Sequence, residues 1–301
     1  MGHWASLVLG DLLLPRGRFM KINILCIGDV VGRPGRRVLA DKLRTVVNER
    51  AIDCVIVNAE NAAGGSGLTP QIHEKLRHYG VNLITLGDHA FRKRDIIETL
   101  ETADNTVRPA NFSEHAAGRG TAVYQTAKGP TVGVLALIGR LFMKPADCPY
   151  TAADKWIPKL QQQADVIVVD FHAEATSEKI AMGYHLDGRA SCCFGTHTHV
   201  VTADETILPK GLAYITDIGM TGAHDSVLGR KTQSVLKSFR TQMPIPFEIA
   251  TGDVRMNGII VTVDSNTKRA EHIERICVKS DVDDATHYDN DDGRPEYFNA
   301  F

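Results

Sequence analysis

The chain has 301 residues, 43% of them hydrophobic and 23% charged, a balance that excludes a disordered, collagenous or membrane-spanning protein and leaves a globular one with a sizeable core. Its formal net charge of −2 supplies no overall basic field, which argues against nucleic acid or a membrane as the main partner. The charge is uneven: residues 281–301 carry seven acids against Arg294 alone, a local −6 that leaves +4 on residues 1–280.

Residues 1–19 hold a short apolar stretch without a basic leader, interrupted by Asp11; it is expected to be neither a secretion signal nor a bilayer span. A dispensable extension is expected there, with the functional domain over 20–280 beginning at Met20. The acidic segment 281–301 is expected to be a disordered tail, because it has too little apolar area to offset the entropy of ordering it. In between, short β-branched runs predict strands at Ile22–Ile27, Cys54–Val57, Leu83–Leu86, Thr131–Ile138, Val166–Val169, Ala190–Phe194, Leu212–Ile215 and Gly258–Val263. Helices are predicted at Pro34–Glu49, Pro70–Tyr79, Arg94–Glu101 and Ala152–Gln163, the last with Trp156 as a packing anchor. Strands alternating with helices define an α/β domain. The strand-rich last third, from about Gly211, is expected to complete a second sheet with antiparallel strands. Six cysteines without a CxxC pair, four of them inside apolar runs, read as reduced core thiols and suit a cytoplasmic location.

The chemistry lies in the residues just past each strand. Gly28-Asp29, Asn58-Ala59-Glu60-Asn61, Gly87-Asp88-His89, Asp170-Phe171-His172 and Gly195-Thr196-His197-Thr198-His199 place carboxylates, amides and imidazoles at five strand ends. In open α/β sheets sites form at the carboxyl ends of strands. Mixed carboxylate and imidazole donors suit Mn, Fe or Zn, whereas an all-oxygen set would suit Mg or Ca. Asp29, Glu60, Asn61, Asp88, His172, His197 and His199 suffice for two adjacent ions sharing a carboxylate. On an extended strand exit the i, i+2 spacing of His197 and His199 would point both rings to one side.

Taken singly, each of these residues has an ordinary explanation, since Asp and Asn after strands often make turns or caps. His73, His78, His115, His185 and His272 are read as structural. The segment Gly28–Gly35 does not match GxGxxG, and Gly64-Gly65-Ser66-Gly67 lacks the Lys-Ser/Thr of a phosphate loop. The latter is expected to be a flexible pocket rim.

As an ordered set, GDVVGRPGR (28–36), NAENAAGGSGLT (58–69), TLGDHAF (85–91), RPAN (108–111), DFHAE (170–174), GTHTHV (195–200) and DIGMTGAHDSVLG (217–229) resemble the YmdB-like branch of the calcineurin-type metallophosphoesterases, over about residues 21–280. The resemblance implies a sandwich of two facing β-sheets flanked by helices. It also implies a dinuclear centre of divalent or mixed-valence transition metal ions, iron or manganese, and cyclic-nucleotide phosphodiesterase activity. It makes Asp29, Asn61 and His199 ligands of one metal, Asp88, His172 and His197 ligands of the other, and Glu60 the bridge. A metal-bound hydroxide would attack phosphorus, and His89 would be the general acid for the departing ribose oxygen, opening 2′,3′-cyclic nucleotides toward the 3′-phosphate. One position departs from the family, which usually has Asn where this chain has Asp88. Three carboxylates against two divalent ions leave about +1 to meet an anionic phosphate, so Asp88 is expected to favour a higher-valent ion or to slow turnover.

Arg33, Arg108, Asn111 and Ser226 lie in matching motifs and are candidate phosphate or ribose contacts, Arg offering a planar fork to phosphate. Two alternatives remain: a phosphomonoesterase or protein phosphatase on the same centre, and a regulator that binds a nucleotide or RNA end without turning it over. A homo-oligomer is compatible with the sequence.

Overall fold

The computed structural model describes residues 20–281. The extension expected over 1–19 and the tail from residue 282 lie outside the described residues; of the acidic segment only Asp281 is described, and it pairs with Lys42.

The chain runs through β1 (Lys21–Ile27), β2 (Asp29–Val30), α1 (Gly32–Glu49), β3 (Cys54–Asn58), α2 (Pro70–Tyr79), β4 (Leu83–Thr85), α3 (Ile96–Thr102), β5 (Thr106–Val107), β6 (Thr121–Gln125) and β7 (Thr131–Ile138). It continues with α4 (Pro149–Leu160), β8 (Val166–His172), α5 (Thr176–Leu186), β9 (Cys192–Thr196), β10 (Thr206–Ile207), β11 (Ala213–Ile215), β12 (Met220–Ala223), α6 (Thr232–Thr241), β13 (Val254–Asp264) and β14 (Arg269–Lys279). Each predicted strand and helix overlaps an observed one. α2 agrees at both ends because its local chemistry is complete: Thr69 accepts from Ile72 N, Pro70 opens the first turn, and Gly80 closes the helix at φ 107°. Two helices and two longer strands were not predicted. α5 carries in its interior Gly183, a weak helix former that lies against the Tyr214 ring. α6 buries only Val235. β6 and β14 are edge strands with little continuous burial.

Two sheets form the body. One is eight-stranded, in the order β2-β12-β13-β1-β3-β4-β5 with β14 on β13; the other is six-stranded, in the order β10-β11-β9-β8-β7-β6. The expectation that the last third completes a second sheet with antiparallel strands is corrected: β11 joins that sheet parallel to β9, while the antiparallel β12, β13 and β14 join the first. The reason is the open edge of β1. β3 covers one edge in parallel, and β13 satisfies the other antiparallel, from Lys21↔Asp264 to Ile27↔Gly258.

Strands buried on both faces explain why β1, β3, β7 and β8 read as continuous apolar runs. Ile22, Ile24 and Cys26 of β1 with Cys54 and Ile56 of β3 face Val132 and Val134 of β7, Val166 and Val168 of β8, and Cys192 and Phe194 of β9 between the sheets. Alternate residues pack outward, Leu25, Val55 and Val57 against α1 and α2, and Ile167, Val169 and Phe171 against α4 and α5. The result is a helix, sheet, sheet, helix sandwich. All six cysteines are free and four are buried, as expected. No described helix is long and apolar enough to cross a membrane.

The same alternation positions the site. Continuing the inter-sheet face by two residues at each carboxyl end leads from Ile56 to Asn58, from Leu83 to Thr85, from Val168 to Asp170 and His172, and from Phe194 to Thr196. The core therefore ends in a buried polar floor between the sheets.

Candidate metal centre

Asp170, 1% exposed, organises that floor by accepting from Thr85 Oγ1 (2.5 Å), Thr196 Oγ1 (2.7 Å) and Asn58 Nδ2 (3.0 Å). Burial raises its carboxyl to about 6 against the pull of these donors. Thr196 Oγ1 in turn accepts from His172 Nδ1 at 2.9 Å. With its proton held there, His172 directs the Nε2 lone pair into the site. Around Nε2 lie Glu60 Oε2 (3.2 Å), Asp88 Oδ1 (3.3 Å) and His197 Nδ1 (3.1 Å). One donor atom from each of Glu60, Asp88, His172 and His197 lies within 4.8 Å of the others.

The turn after β3 supplies Glu60 and Asn61. Gly67 N bonds Glu60 O and Gly32 N bonds Asn61 O, tying the turn to itself and to the start of α1. Asn61 Nδ2 lies 2.9 Å from Glu60 Oε1 and 3.1 Å from His199 Nε2, and Asn61 Oδ1 accepts from His89 Nδ1 at 2.8 Å. A metal ligand needs the reverse orientation, in which a half-turn of the amide fills the same volume. After β4, Gly87 leaves room for its neighbours: a Cβ there would fall inside 3.0 Å of both Glu60 Oε2 and His172 Nε2. His89 N donates to Glu60 Oε2 at 3.2 Å, and His89 Nε2 lies 3.6 Å from Asp88 Oδ2. Asp29, fully buried on β2, accepts from His197 N with Oδ2 (3.1 Å), while its Oδ1 has no hydrogen-bond partner among the described residues.

Burial pushes His172 and His199 down to about 3 and His89 to about 4, so at neutral pH their rings are uncharged and able to ligate. Burial raises Asp29, with Asp217 adding to it, and raises Glu60, with Asp88 and Asp29 adding to it. Asp88 is lowered; burial opposes this, but the surrounding imidazoles of His172, His89 and His197 outweigh it. Buried carboxylates that resist ionising, neutral imidazoles and the unpartnered oxygen of Asp29 together lack positive charge, which a bound cation would supply. The donor set fits a borderline transition metal.

The YmdB-like protein family model matches residues 25–276. The chain belongs to the YmdB-like family. It is 44% identical over 260 residues to the 2′,3′-cyclic-nucleotide 2′-phosphodiesterase of Bacillus subtilis (strain 168), covering 86% of this chain and 98% of that one. The crystal structure of a novel phosphatase from Mycoplasma pneumoniae superposes with a TM-score of 0.81 at 35% identity, covering 87% and 95% of the two chains. That of a hypothetical protein from Thermus thermophilus gives 0.80 at 38%, covering 86% and 99%. The sandwich is thus the phosphatase-type fold.

Several expectations change. His197 and His199 do not share one side of an extended exit: both follow β9 with left-handed backbone, φ 96° and 65°, and go to different partners, His197 to His172 and His199 to Asn61. Arg108, 5% exposed, donates to the carbonyls of Pro109, Ser113, Ala116 and Ala117. Asn111 donates to Ile138 O and Asp147 O and accepts from Ile138 N, clamping both ends of the segment between β7 and α4. Ser226 donates to Ala223 O and accepts from Gly229 N. These three side chains brace loops. Arg33 is half-buried in the first turn of α1. The segment 64–67 is not a loose rim, because Arg230 grips Gly64 O (3.2 Å) and Gly65 O (2.7 Å). Sequence reading missed Glu174, whose Oε2 lies 3.3 Å from His197 Nε2. It also missed the Thr196 and Asp170 support of His172. Their position at strand ends, Asp170 two residues before His172 and Thr196 next to His197, was the available signal.

Proposed function

We propose that residues 20–280 form a metal-dependent phosphodiesterase that opens 2′,3′-cyclic nucleotides toward the 3′-phosphate on a centre of two iron or manganese ions. The observation that carries this reading is the convergence of Glu60, Asp88, His172 and His197 within 4.8 Å, and the activity of the Bacillus subtilis relative supports the substrate class. Asp29, Asn61 and His199 would hold one ion, Asp88, His172 and His197 the other, with Glu60 between them. When bound, the ions supply Lewis acidity, lowering the pKa of a water and offsetting charge on the phosphoryl oxygens.

The chain's own residues do the rest. Thr196 and Asp170 fix the proton of His172 on Nδ1, so only Nε2 faces inward. Glu174 does the same for His197 from the other edge, holding Nε2 and leaving Nδ1 to the centre. With its amide turned to ligate, Asn61 hands Nδ2–H to His89 Nδ1, and the proton of His89 then sits on Nε2. From there it would donate a hydrogen bond to the departing ribose oxygen and stabilise the charge developing on it. Asp88 near Nε2 favours retention of that proton, against the effect of burial.

Asp88 also motivates a second reading, a weakened enzyme that acts as a nucleotide-binding regulator, because its charge lowers the attraction for phosphate. Metal analysis of protein purified without added ions, paired with 2′,3′-cyclic AMP hydrolysis, tests the first reading. Less than one equivalent of transition metal, with no activity after Mn or Fe reconstitution, would remove it. Binding of cyclic nucleotide without hydrolysis, unaltered in His89→Ala, would establish the second. Faster hydrolysis of p-nitrophenyl phosphate than of bis-p-nitrophenyl phosphate would point to a phosphomonoesterase.

A further inference from the structure

Lys179 and Asp217 form an ion pair that the chemistry above does not use. Lys179 lies on α5 and Asp217 two residues beyond β11; each is 1% exposed, with Nζ 2.6 Å from Oδ2. Burying two charges this completely costs desolvation that an apolar pair would avoid, so such a pair is weak evidence for stability. Its other bonds indicate what it does. Asp217 Oδ2 also accepts from Thr198 N (3.2 Å) and Thr198 Oγ1 (2.8 Å), and Oδ1 accepts from Gly219 N (2.7 Å). Its main chain closes the same loop further on: Asp217 N donates to Thr202 Oγ1 (2.9 Å), and Asp217 O accepts from Thr202 N (3.0 Å).

Thr198 is the residue between the two imidazoles. His197 and His199 both occupy left-handed backbone, which side-chain-bearing residues leave unless their surroundings over-determine it. The Thr198 anchor holds the centre of this turn, so one ring meets His172 while the other meets Asn61.

We infer that Asp217, charged and held by Lys179, is a positioning residue that acts through Thr198 to set where His197 and His199 present their nitrogens, preorganising both halves of the centre at once. This rests on the metal-centre reading above. Asp217→Asn would strand the Lys179 ammonium in the interior and is expected to unfold the chain, so the test uses Thr198. Mn²⁺ is titrated calorimetrically into chelator-stripped full-length wild type, Thr198→Val and Thr198→Ser, with melting recorded in chelator. If the bond only braces the fold, metal-free and loaded forms lose stability equally and Kd is unchanged. Preorganisation instead predicts that Thr198→Val weakens Mn²⁺ binding about 10- to 100-fold, while Thr198→Ser, which keeps the hydroxyl, restores it. Wild-type Kd in a folded Thr198→Val chain, or equal weakening in Thr198→Ser, would overturn the inference alone. A wild-type chain that takes up no Mn²⁺ would overturn the metal-centre reading and this inference with it.

Discussion

Gly87 connects β4 to Asp88 and His89, and its missing side chain is the space in which Glu60 and His172 meet. A methyl group there would lie inside 3.0 Å of Glu60 Oε2 and of His172 Cδ2 and Nε2, closer than Cβ atoms approach their neighbours in folded proteins. Neither side chain is free to withdraw. His172 is held through Thr196 to Asp170, and Glu60 accepts from Asn61 Nδ2 and His89 N. Gly87→Ala therefore forces these two donors, now 3.2 Å apart, to separate by about an ångström, an overpacking that costs roughly 1–3 kcal/mol. A misplacement of that size costs about 100-fold in rate. We expect a folded protein, less stable in chelator by that amount, with metal content reduced and 2′,3′-cyclic AMP hydrolysis down about 100-fold. Gly80→Ala is the control. Gly80 has φ 107°, and a Cβ added there would meet nothing within 4 Å, so this variant should lose about 1–2 kcal/mol through backbone strain and none of its activity once folded. Wild-type metal content and rate in Gly87→Ala would refute the steric argument.

Thr196→Val strands the buried Nδ1–H of His172; we expect a loss of about 1–3 kcal/mol in urea unfolding and a 10- to 100-fold weaker metal affinity, and no change in either would remove the orienting role of Thr196. Asp88→Asn removes a carboxylate beside the metals and His89, and should raise phosphodiesterase turnover, by about tenfold if it relieves about 1.4 kcal/mol; unchanged metal content together with an unchanged rate would count against the charge argument. Glu60 tests the pH dependence. Its folded pKa is raised from 4.5 by burial and by Asp88 and Asp29, so the stability it contributes is fully present below 4.5 and is lost as pH rises toward the folded value. Metal-free Glu60→Gln does not titrate there and should gain on wild type as pH rises above 4.5, by up to about 1.4 kcal/mol for each pH unit until the folded value is reached; a pH-independent difference in chelator would refute the raised Glu60 pKa.

The ligand candidates were readable because strands covered on both faces are apolar until the inter-sheet side opens at their carboxyl ends. There Asn58, Thr85, Asp170, His172 and Thr196 replace Ile, Leu, Val and Phe in the same alternation. The alternation fails where the backbone is not extended, which is why the two rings of His197-Thr198-His199 diverge. Motif neighbourhood likewise did not show that the Arg108 guanidinium is occupied by carbonyls or that Asn111 clamps a loop.

The sequence by itself determined which chemical groups stand at which strand ends, since composition and two-residue periodicity are local properties of the chain. Only the tertiary structure decided which of them meet, and which buried groups hold them. The Thr196–Asp170 support of His172 and the Lys179–Asp217–Thr198 anchor join residues far apart along the chain, and such hydrogen bonds exist only once β8, β9 and β11 have paired side by side and α5 has packed beside them.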